Sequence, residues 1–499
     1  MLRDRTCLLT VGLVVLLCTA GWAKDTKPKL ALTDTMTKDG ITWQFSGKAQ
    51  VGQFVNGDYY VVGPVTVVAI TPKPGPGRNG SVLNLPPDQG SSPFDDRVEG
   101  ERYDSGLRAE PPVPMHPGDA LISSISVEQV GDLPAPLRPG DKSLSPVRTV
   151  SVLTCLDKPV PADAFRPSYC RKPRGPGEPA QTPSIYLARN LRWNLLPRLA
   201  RPRRNPNPAE YTEHSCPWSC TATGVPDLAK WAEMYRRPWL DVCFFGFDAP
   251  IAYMPDYGRE LGRAAGISTL LLMLDFPRQQ KEQLLVNVVQ RGIDLWGILE
   301  AGYPGWQAHG GHGSGRKWPI VFAGLMLGDK EMQSPLHKHP NAKFGEDMQT
   351  IYGKGWTGDT ALYGGHLGPD GEKAGGPGWG AYEHLQPRAW KSMMNEDYRR
   401  CCTSLAWVGE ALAIRLLQAQ QVWDHPAFFD YVDRWMTEDD TEAVKIIKEQ
   451  TGQDYAQPYQ RQRQCWDPFV EEMWAQYRPL ASAPRARLQP ARSPHPRSQ

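Results

Sequence analysis

Between about residues 40 and 160 the apolar positions fall in short runs rich in Val, Ile, Thr, Tyr and Trp: "ITWQF", "DYYVVGPVTVVAI" and "VRTVSVLTCL", each bounded by Gly, Pro or Asp. Side chains on a strand alternate between faces, and β-branched and aromatic residues pack well on a pleated surface, so these runs predict antiparallel strands. The expected unit is an N-terminal antiparallel β-sandwich over 35–165, interrupted at 71–118 by a Pro/Gly-rich insertion that includes "TPKPGPGRNG".

After about residue 227 the period changes. In 279–300, "QQKEQLLVNVVQRGIDLWGILE", the positions Leu285, Val288, Val289, Leu295, Trp296 and Leu299 recur at steps of three and four, the signature of one apolar stripe on a helix. Further helices are expected at about 259–275, 318–327, 389–419, 426–437, 440–451 and 468–478. Asp424 with Pro426, and Asp467 with Pro468, supply capping and first-turn proline chemistry, and Gly452 suits a helix end. The fold class is therefore α+β multidomain, a β-sandwich followed by an all-α domain over 227–478. Between the two, 171–226 has dense proline and no period, a linker or a wrapping arm, and 479–499 reads as a disordered tail.

Composition agrees with a large folded body. At 499 residues, with about 100–200 per domain, two to four domains are expected. The hydrophobic share of 40% becomes about 46% when Gly is counted and Tyr is not, which is globular. Gly and Pro together are 95 residues, about 19% against a usual share of about 12%, so long loops belong to the design.

Charge changes the picture more. The net charge of +2 hides segregation: nine Lys or Arg against Glu178 alone make 171–204 +8, and five Arg with no acid follow from Arg478, which leaves the remainder at −11. A net charge of +2 with 22% charged residues gives no global sign of nucleic acid as a partner, since such proteins carry a strongly basic domain. Residues 1–23 read as an export signal: Arg3 and Arg5, an apolar run from Leu8 to Leu17, and small residues to Ala23. That run is too short to span a membrane and no later one is long enough, so a secreted or periplasmic protein without an integral span is expected.

Eight cysteines remain beyond the signal, an even number that favours disulfides in an exported protein. Cys155 with Cys170 and Cys216 with Cys220 are the simplest pairings, although connectivity stays open. His214, Cys216 and Cys220 are alternatively part of a zinc set. Cys401 and Cys402, adjacent within an expected helix, read as two buried thiols.

Chemistry concentrates in the loops between helices. Six of ten histidines, His309, His312, His337, His339, His366 and His384, lie between 309 and 384, in or beside glycine-rich loops at 301–317, 328–345 and 353–387. Imidazoles exchange protons near neutral pH, and long loops inside a compact domain are often functional. "GYPGWQAHGGHGSGRKW" carries Trp306, His309, His312, Arg316 and Trp318. "WTGDTALYGGHLGPDG" carries Trp356, Tyr363 and His366, with Trp379 behind it. "NEDYRRCC" carries Tyr398 and Arg399, and "MPDYGRE" raises the same question for Tyr257 and Arg259. Glycine allows close approach to a ligand, tryptophan offers an apolar face and arginine pairs with carboxylates, a set that suits sugar acids. A divalent metal on His309 with His312, or His337 with His339, together with Glu346 or Asp347, competes with this reading, but no cofactor is required. Phosphate-loop, GxSxG and dinucleotide motifs are absent.

An export signal, a β domain, serial amphipathic helices and Tyr, His, Arg and Trp in inter-helix loops together resemble secreted α/α-toroid polysaccharide lyases and related glycoside hydrolases. The resemblance is architectural, covers about 40–160 and 227–478, and departs from the lyases that carry the β domain after the toroid. It implies β-elimination on a uronic acid. Arg316 would neutralise the carboxylate, His309 or His312 act as base and Tyr363 or Tyr398 as acid, with His366 beside them. Trp306, Trp318, Trp356, Trp379 and Arg399 would bind a polysaccharide or oligosaccharide. A glycosidase using two of Asp359, Glu383, Glu346 and Asp397, or a non-catalytic glycan-binding protein, are the alternatives.

Overall fold

The computed structural model describes residues 27–87, 92–98, 103–129, 145–172, 184–202, 224–243, 251–255, 257–367 and 378–481. The expected export signal, the Cys216 and Cys220 pair with His214, and all but the first residues of the expected tail lie outside them.

The N-terminal part is mostly β: β1 (Leu30–Lys38), β2 (Ile41–Gln53), β3 (Tyr59–Val62), β4 (Val65–Thr71), β5 (Ser81–Leu83), β6 (Val113–Met115), β7 (Ala120–Ser126) and β8 (Val147–Leu156). They form one hydrogen-bonded sheet in the order β5-β7-β8-β3-β2-β4-β6, with β1 also on β2. The strands curl into a half-barrel, where two stacked sheets of a sandwich were expected. Most neighbours are antiparallel; β3 and β8 run parallel, Tyr59 opposite Leu153. β1 turns into β2 at Asp39 and Gly40, both at positive φ, the conformation that an Asp-Gly hairpin turn needs. The expected Pro/Gly-rich insertion contributes β5 and β6 to the sheet.

The period of two sorts the buried side chains. Leu121 and Ile125 of β7 and Leu153 and Cys155 of β8 join Trp43, Phe45, Val61 and Val67 inside the curl. Ala120, Ile122, Val150 and Val152 point the other way and join the core of the helical region. Both faces of β8 are thus covered, which explains its nearly continuous apolar run.

The helical region begins with α1 (Leu228–Met234), α2 (Gly258–Met273), α3 (Arg278–Glu300) and α4 (Lys317–Leu327), followed by helices that include Ser404–Leu416, Pro426–Thr437, Thr441–Thr451 and Pro468–Tyr477. Asp467 caps the last of these, accepting from Val470 N, and Gly452 ends Thr441–Thr451 at positive φ. Asp424, expected as a cap, instead takes a left-handed backbone and His425 precedes Pro426. The expected 389–419 helix is broken: Met394–Tyr398 is α-helical, Arg399–Thr403 forms a π-helical turn, and Ser404 resumes the α-helix. No helix of the described residues is long and apolar enough to cross a membrane.

Of the expected 171–226 arm, residues 184–202 lie against the body: Ala188, Leu191, Leu196 and Leu199 enter the main core and Leu199 bridges to Leu274. The sheet and the helices are bolted by Arg166, fully buried, whose Nε donates to Asp58 (2.6 Å) ahead of β3 and whose Nη2 donates to Asp294 (2.7 Å) on α3. Burial pushes the Asp294 carboxyl up to about 6 even so. Cys155 and Cys170, expected as a disulfide, are separate buried thiols in different clusters, one inside the curl and one against the helices.

Candidate functional site

The loop from α3 to α4 is folded back by three side chains from elsewhere in the chain, and a fourth, Asn395, holds the loop around His366 against it. Gly311 N donates to Tyr257 Oη (2.8 Å) and Gly315 N to Glu346 Oε1 (2.6 Å). The buried Gln349 amide lies within hydrogen-bond distance of the Gly310 carbonyl (3.0 Å), the Gly365 carbonyl (3.1 Å) and Tyr363 Oη (2.9 Å). Asn395 Oδ1 accepts from His366 N (2.8 Å), and Gly310 N donates to the His366 carbonyl (2.8 Å). Two loops more than fifty residues apart are thereby held as one unit.

These staples bring together His309, His312, His366, Trp379 and Tyr398. The His309 ring lies 4.9 Å from His312 and 5.2 Å from His366, centroid to centroid. His366 stands edge-on to Tyr398 at 4.2 Å and to Trp379 at 4.6 Å. Tyr257 meets His312 edge-on at 4.8 Å. His366 is buried, whereas His309, His312, Trp379 and Tyr398 are half-exposed, so the cluster reaches solvent. His309 sits at φ +69°, in the left-handed region that non-glycine residues rarely adopt, and such strain concentrates at functional sites.

Burial pushes the His309 imidazole below its ordinary value, and burial with His309 alongside pushes His366 down to about 4. Both rings are neutral at neutral pH and able to accept a proton. Burial and the neighbouring Asp397 push the Tyr398 phenol up, which keeps it protonated. Neutral imidazoles beside a protonated phenol are a base and an acid in contact.

Gly310 is what lets the rings approach. Its φ is +61°, and a Cβ there would stand 2.3 Å from Tyr398 Cδ1 and 3.1 Å from His366 Nε2. Gly310→Ala is expected to cost about 1–3 kcal/mol through backbone strain and overpacking, and to displace Tyr398. Chemical denaturation of the variant beside the wild type measures the first effect, and loss of turnover the second; an unchanged midpoint would remove the packing account.

Beneath the cluster lies a buried ionic layer. Asp241 accepts from Arg291 Nη1 (2.8 Å) and Arg316 Nε (3.1 Å), and Arg316 Nη1 donates to the His312 and Ser314 carbonyls (2.6 and 2.9 Å). Burial pushes Glu346 up to about 7, and burial with Glu346 nearby raises Glu410 well above the carboxylate range.

Several expected site residues lie elsewhere. Arg316, expected to neutralise a substrate carboxylate, is 0% exposed and spends its charge on Asp241 and loop carbonyls. Tyr363 is packed among Trp407, Tyr431 and Tyr382, out of reach of a solute. Arg399, expected to bind substrate, is buried against Glu396, Tyr431 and Gln462. Trp318 is a core residue whose Nε1 donates to Thr269 Oγ1 (3.0 Å), and Trp306 is buried against Tyr303 and Phe344. Trp356 rests on Trp390 in a separate small cluster with Val444 and Ile447.

The alternative chemistries find their groups committed. Glu383 and Asp359 pair with Arg434 (2.9 and 3.1 Å), Asp397 accepts from Tyr455 Oη (2.6 Å), and Glu346 is buried. His339 contacts Glu300 (2.7 Å) beside Trp296, and His337 is exposed. Among the described residues no group of three or more His, Cys, Asp and Glu stands ready to hold a metal ion.

Asp241, Gln349 and Asn395, which position the cluster, carry no mark in the sequence, and Tyr257 and Arg259 carry only the proximity of a Tyr to an Arg. Arg259 is half-buried at the rim, its Nε paired with Glu260 (2.5 Å), its Nη1 donating to the Cys401 carbonyl (3.0 Å) and its guanidinium stacked over Trp466 (5.0 Å) and Tyr257 (5.5 Å). Comparison with protein-family models, curated proteins and solved structures finds no match for this chain.

Proposed function

We propose that this chain is an exported polysaccharide lyase that cleaves a uronic-acid-containing glycan by β-elimination. The observation that carries the reading is neutral His366 in contact with both protonated Tyr398 and neutral His309 at a surface-reaching cluster. In this reading His309 removes the proton on C5. The C–H electron pair becomes the C4–C5 double bond, the C4–O bond breaks, and Tyr398 protonates the departing oxygen. Arg259 at the rim takes the carboxylate in place of Arg316, and Trp379 offers its face to a sugar ring. His366 packs against His309, and burial keeps His309 deprotonated at neutral pH. Glu383 and Asp359 are tied to Arg434, Asp397 to Tyr455, and Glu346 is buried, which favours elimination over glycosidic hydrolysis, since hydrolysis needs two carboxylates flanking the bond. The expected export signal fits an extracellular or periplasmic glycan substrate.

Incubation with polyuronate and mixed uronate polysaccharides tests this directly. Elimination is expected to raise near-ultraviolet absorbance in step with new reducing ends, because only elimination creates an unsaturated sugar. Reducing ends without absorbance would replace the reading by hydrolysis, and binding without either product would replace it by a glycan-binding role.

A further inference from the structure

Cys401 and Cys402 were expected as two thiols, but the consecutive residues are joined by a disulfide. It lies in the π-helical turn Arg399–Thr403, one turn after Tyr398 and on the same side of the helix. π-turns inside α-helices are frequent at functional sites. The inner side of the turn is tied down: Arg399 Nη1 and Arg400 Nε both donate to Glu396 (3.0 and 2.6 Å), and Arg400 Nη1 donates to Asp440 (2.6 Å). The outer side faces the candidate site. A Cβ on Gly311 would stand 2.4 Å from the Cys402 carbonyl oxygen, and the same glycine's N–H is bonded to Tyr257, which packs on His312. Cys401 is half-exposed, and its carbonyl accepts from Arg259 Nη1.

We propose that Cys401–Cys402 is a thiol-exchange site through which a dithiol reductant alters the histidine and tyrosine cluster. A thiolate of the reductant attacks Sγ of the more exposed Cys401. The S–S bond breaks, its electron pair leaves on Cys402 Sγ, and the new bond is a mixed disulfide. The second thiolate of the reductant then attacks its own sulfur in that bond and releases Cys401 as a thiolate. Both cysteine sulfurs end protonated; the protein has gained two electrons and the dithiol has become a cyclic disulfide. With Arg399 and Arg400 anchored within, the turn can change only on its outer side, where Gly311 and Tyr398 carry the change to His312 and His366. Three other thiols are poorly suited to exchange: burial pushes Cys155 and Cys170 up to about 12, and raises Cys465 well above the ordinary thiol value.

The test uses the full chain purified without reductant. Brief treatment with dithiothreitol, then iodoacetamide and peptide mass mapping, is expected to label Cys401 and Cys402 while Cys155, Cys170 and Cys465 stay protected until denaturation. In the same samples, the diethyl pyrocarbonate modification rate of His309 and His312 is expected to change about fivefold on reduction, a typical size for coupling between neighbouring sites. Labelling of Cys401 and Cys402 before any reductant, or an unchanged histidine rate after complete reduction, would overturn the proposal. A Cys401→Ser, Cys402→Ser variant should lose the response to dithiothreitol; because wild-type reduction reports by itself, a variant that does not fold leaves the wild-type result decisive. The readouts do not require turnover, so this proposal fails or stands separately from the lyase reading.

Discussion

His309→Ala is expected to lower kcat on the cleaved glycan by about 10²–10⁴-fold, the usual worth of a positioned general base, with little change in KM. The loss should lie in kcat because the imidazole acts on the C5 proton and adds little to ground-state binding. Tyr398→Phe is the companion variant: it keeps the ring that packs on His366 (4.2 Å) and removes only the acid. Each single variant should lose about as much as the double, since base and acid serve one step. The pH profile supplies the sign. Burial holds the His309 imidazole below the ordinary 6.5 and His366 down to about 4, so the base form persists as pH falls through 6.5. The acid limb of kcat/KM should therefore lie below 6.5, whereas a freely solvated histidine would place it there. Wild-type turnover in His309→Ala, or an acid limb at or above 6.5, would remove His309 as the base.

The largest structural effect is expected at Asp241. Its carboxylate is buried between Arg291 and Arg316, and its main-chain N–H donates to Tyr169 Oη (3.1 Å). Asp241→Ala would leave two buried guanidiniums without their counterion, a loss of about 3–5 kcal/mol for a broken buried pair. Because Arg316 also holds the His312 and Ser314 carbonyls, the loop that carries His309 should loosen with it. Urea denaturation followed by tryptophan fluorescence gives the stability change. Asp241→Asn, which keeps the shape and an acceptor but not the charge, should fall between wild type and alanine. A loss under about 1 kcal/mol for alanine would show that the arginines find other partners, against this account.

The helices were legible because their signal is local. The stripe in 279–300 and the Asp467, Pro468 and Gly452 punctuation needed only neighbours a few residues away, and the observed Arg278–Glu300 and Pro468–Tyr477 follow them closely. The sheet was less so. Val, Ile and Thr runs marked the strands, but the parallel pairing of Tyr59 with Leu153 joins residues far apart, and such pairing decides between one curled sheet and two stacked ones. The break at Arg399–Thr403 was hidden for a similar reason: its partners Asp440 and Gln462 lie far along the chain.

The candidate site divides along the same line. Glycine and histidine density in two loops marked His309, His312 and His366, and Tyr398 stood out at a helix edge. Composition could not separate Arg316 and Arg399 from Arg259, because a guanidinium looks alike in sequence whether it meets a ligand or a buried carboxylate. Asp241 and Glu396 enclose Arg316 and Arg399 in the interior, whereas Arg259, although also paired with Glu260, stays half-buried.

What the sequence determined by itself was the order of mostly-β then helical structure and the loops where proton-exchanging groups gather, since both follow from periodicity and residue type. Tertiary structure alone decided which of those groups meet, which charges are spent inside, and that Cys401 and Cys402 are joined. The physical reason is that burial and pairing between distant segments set the charge and reach of a side chain, and neither is encoded in local spacing.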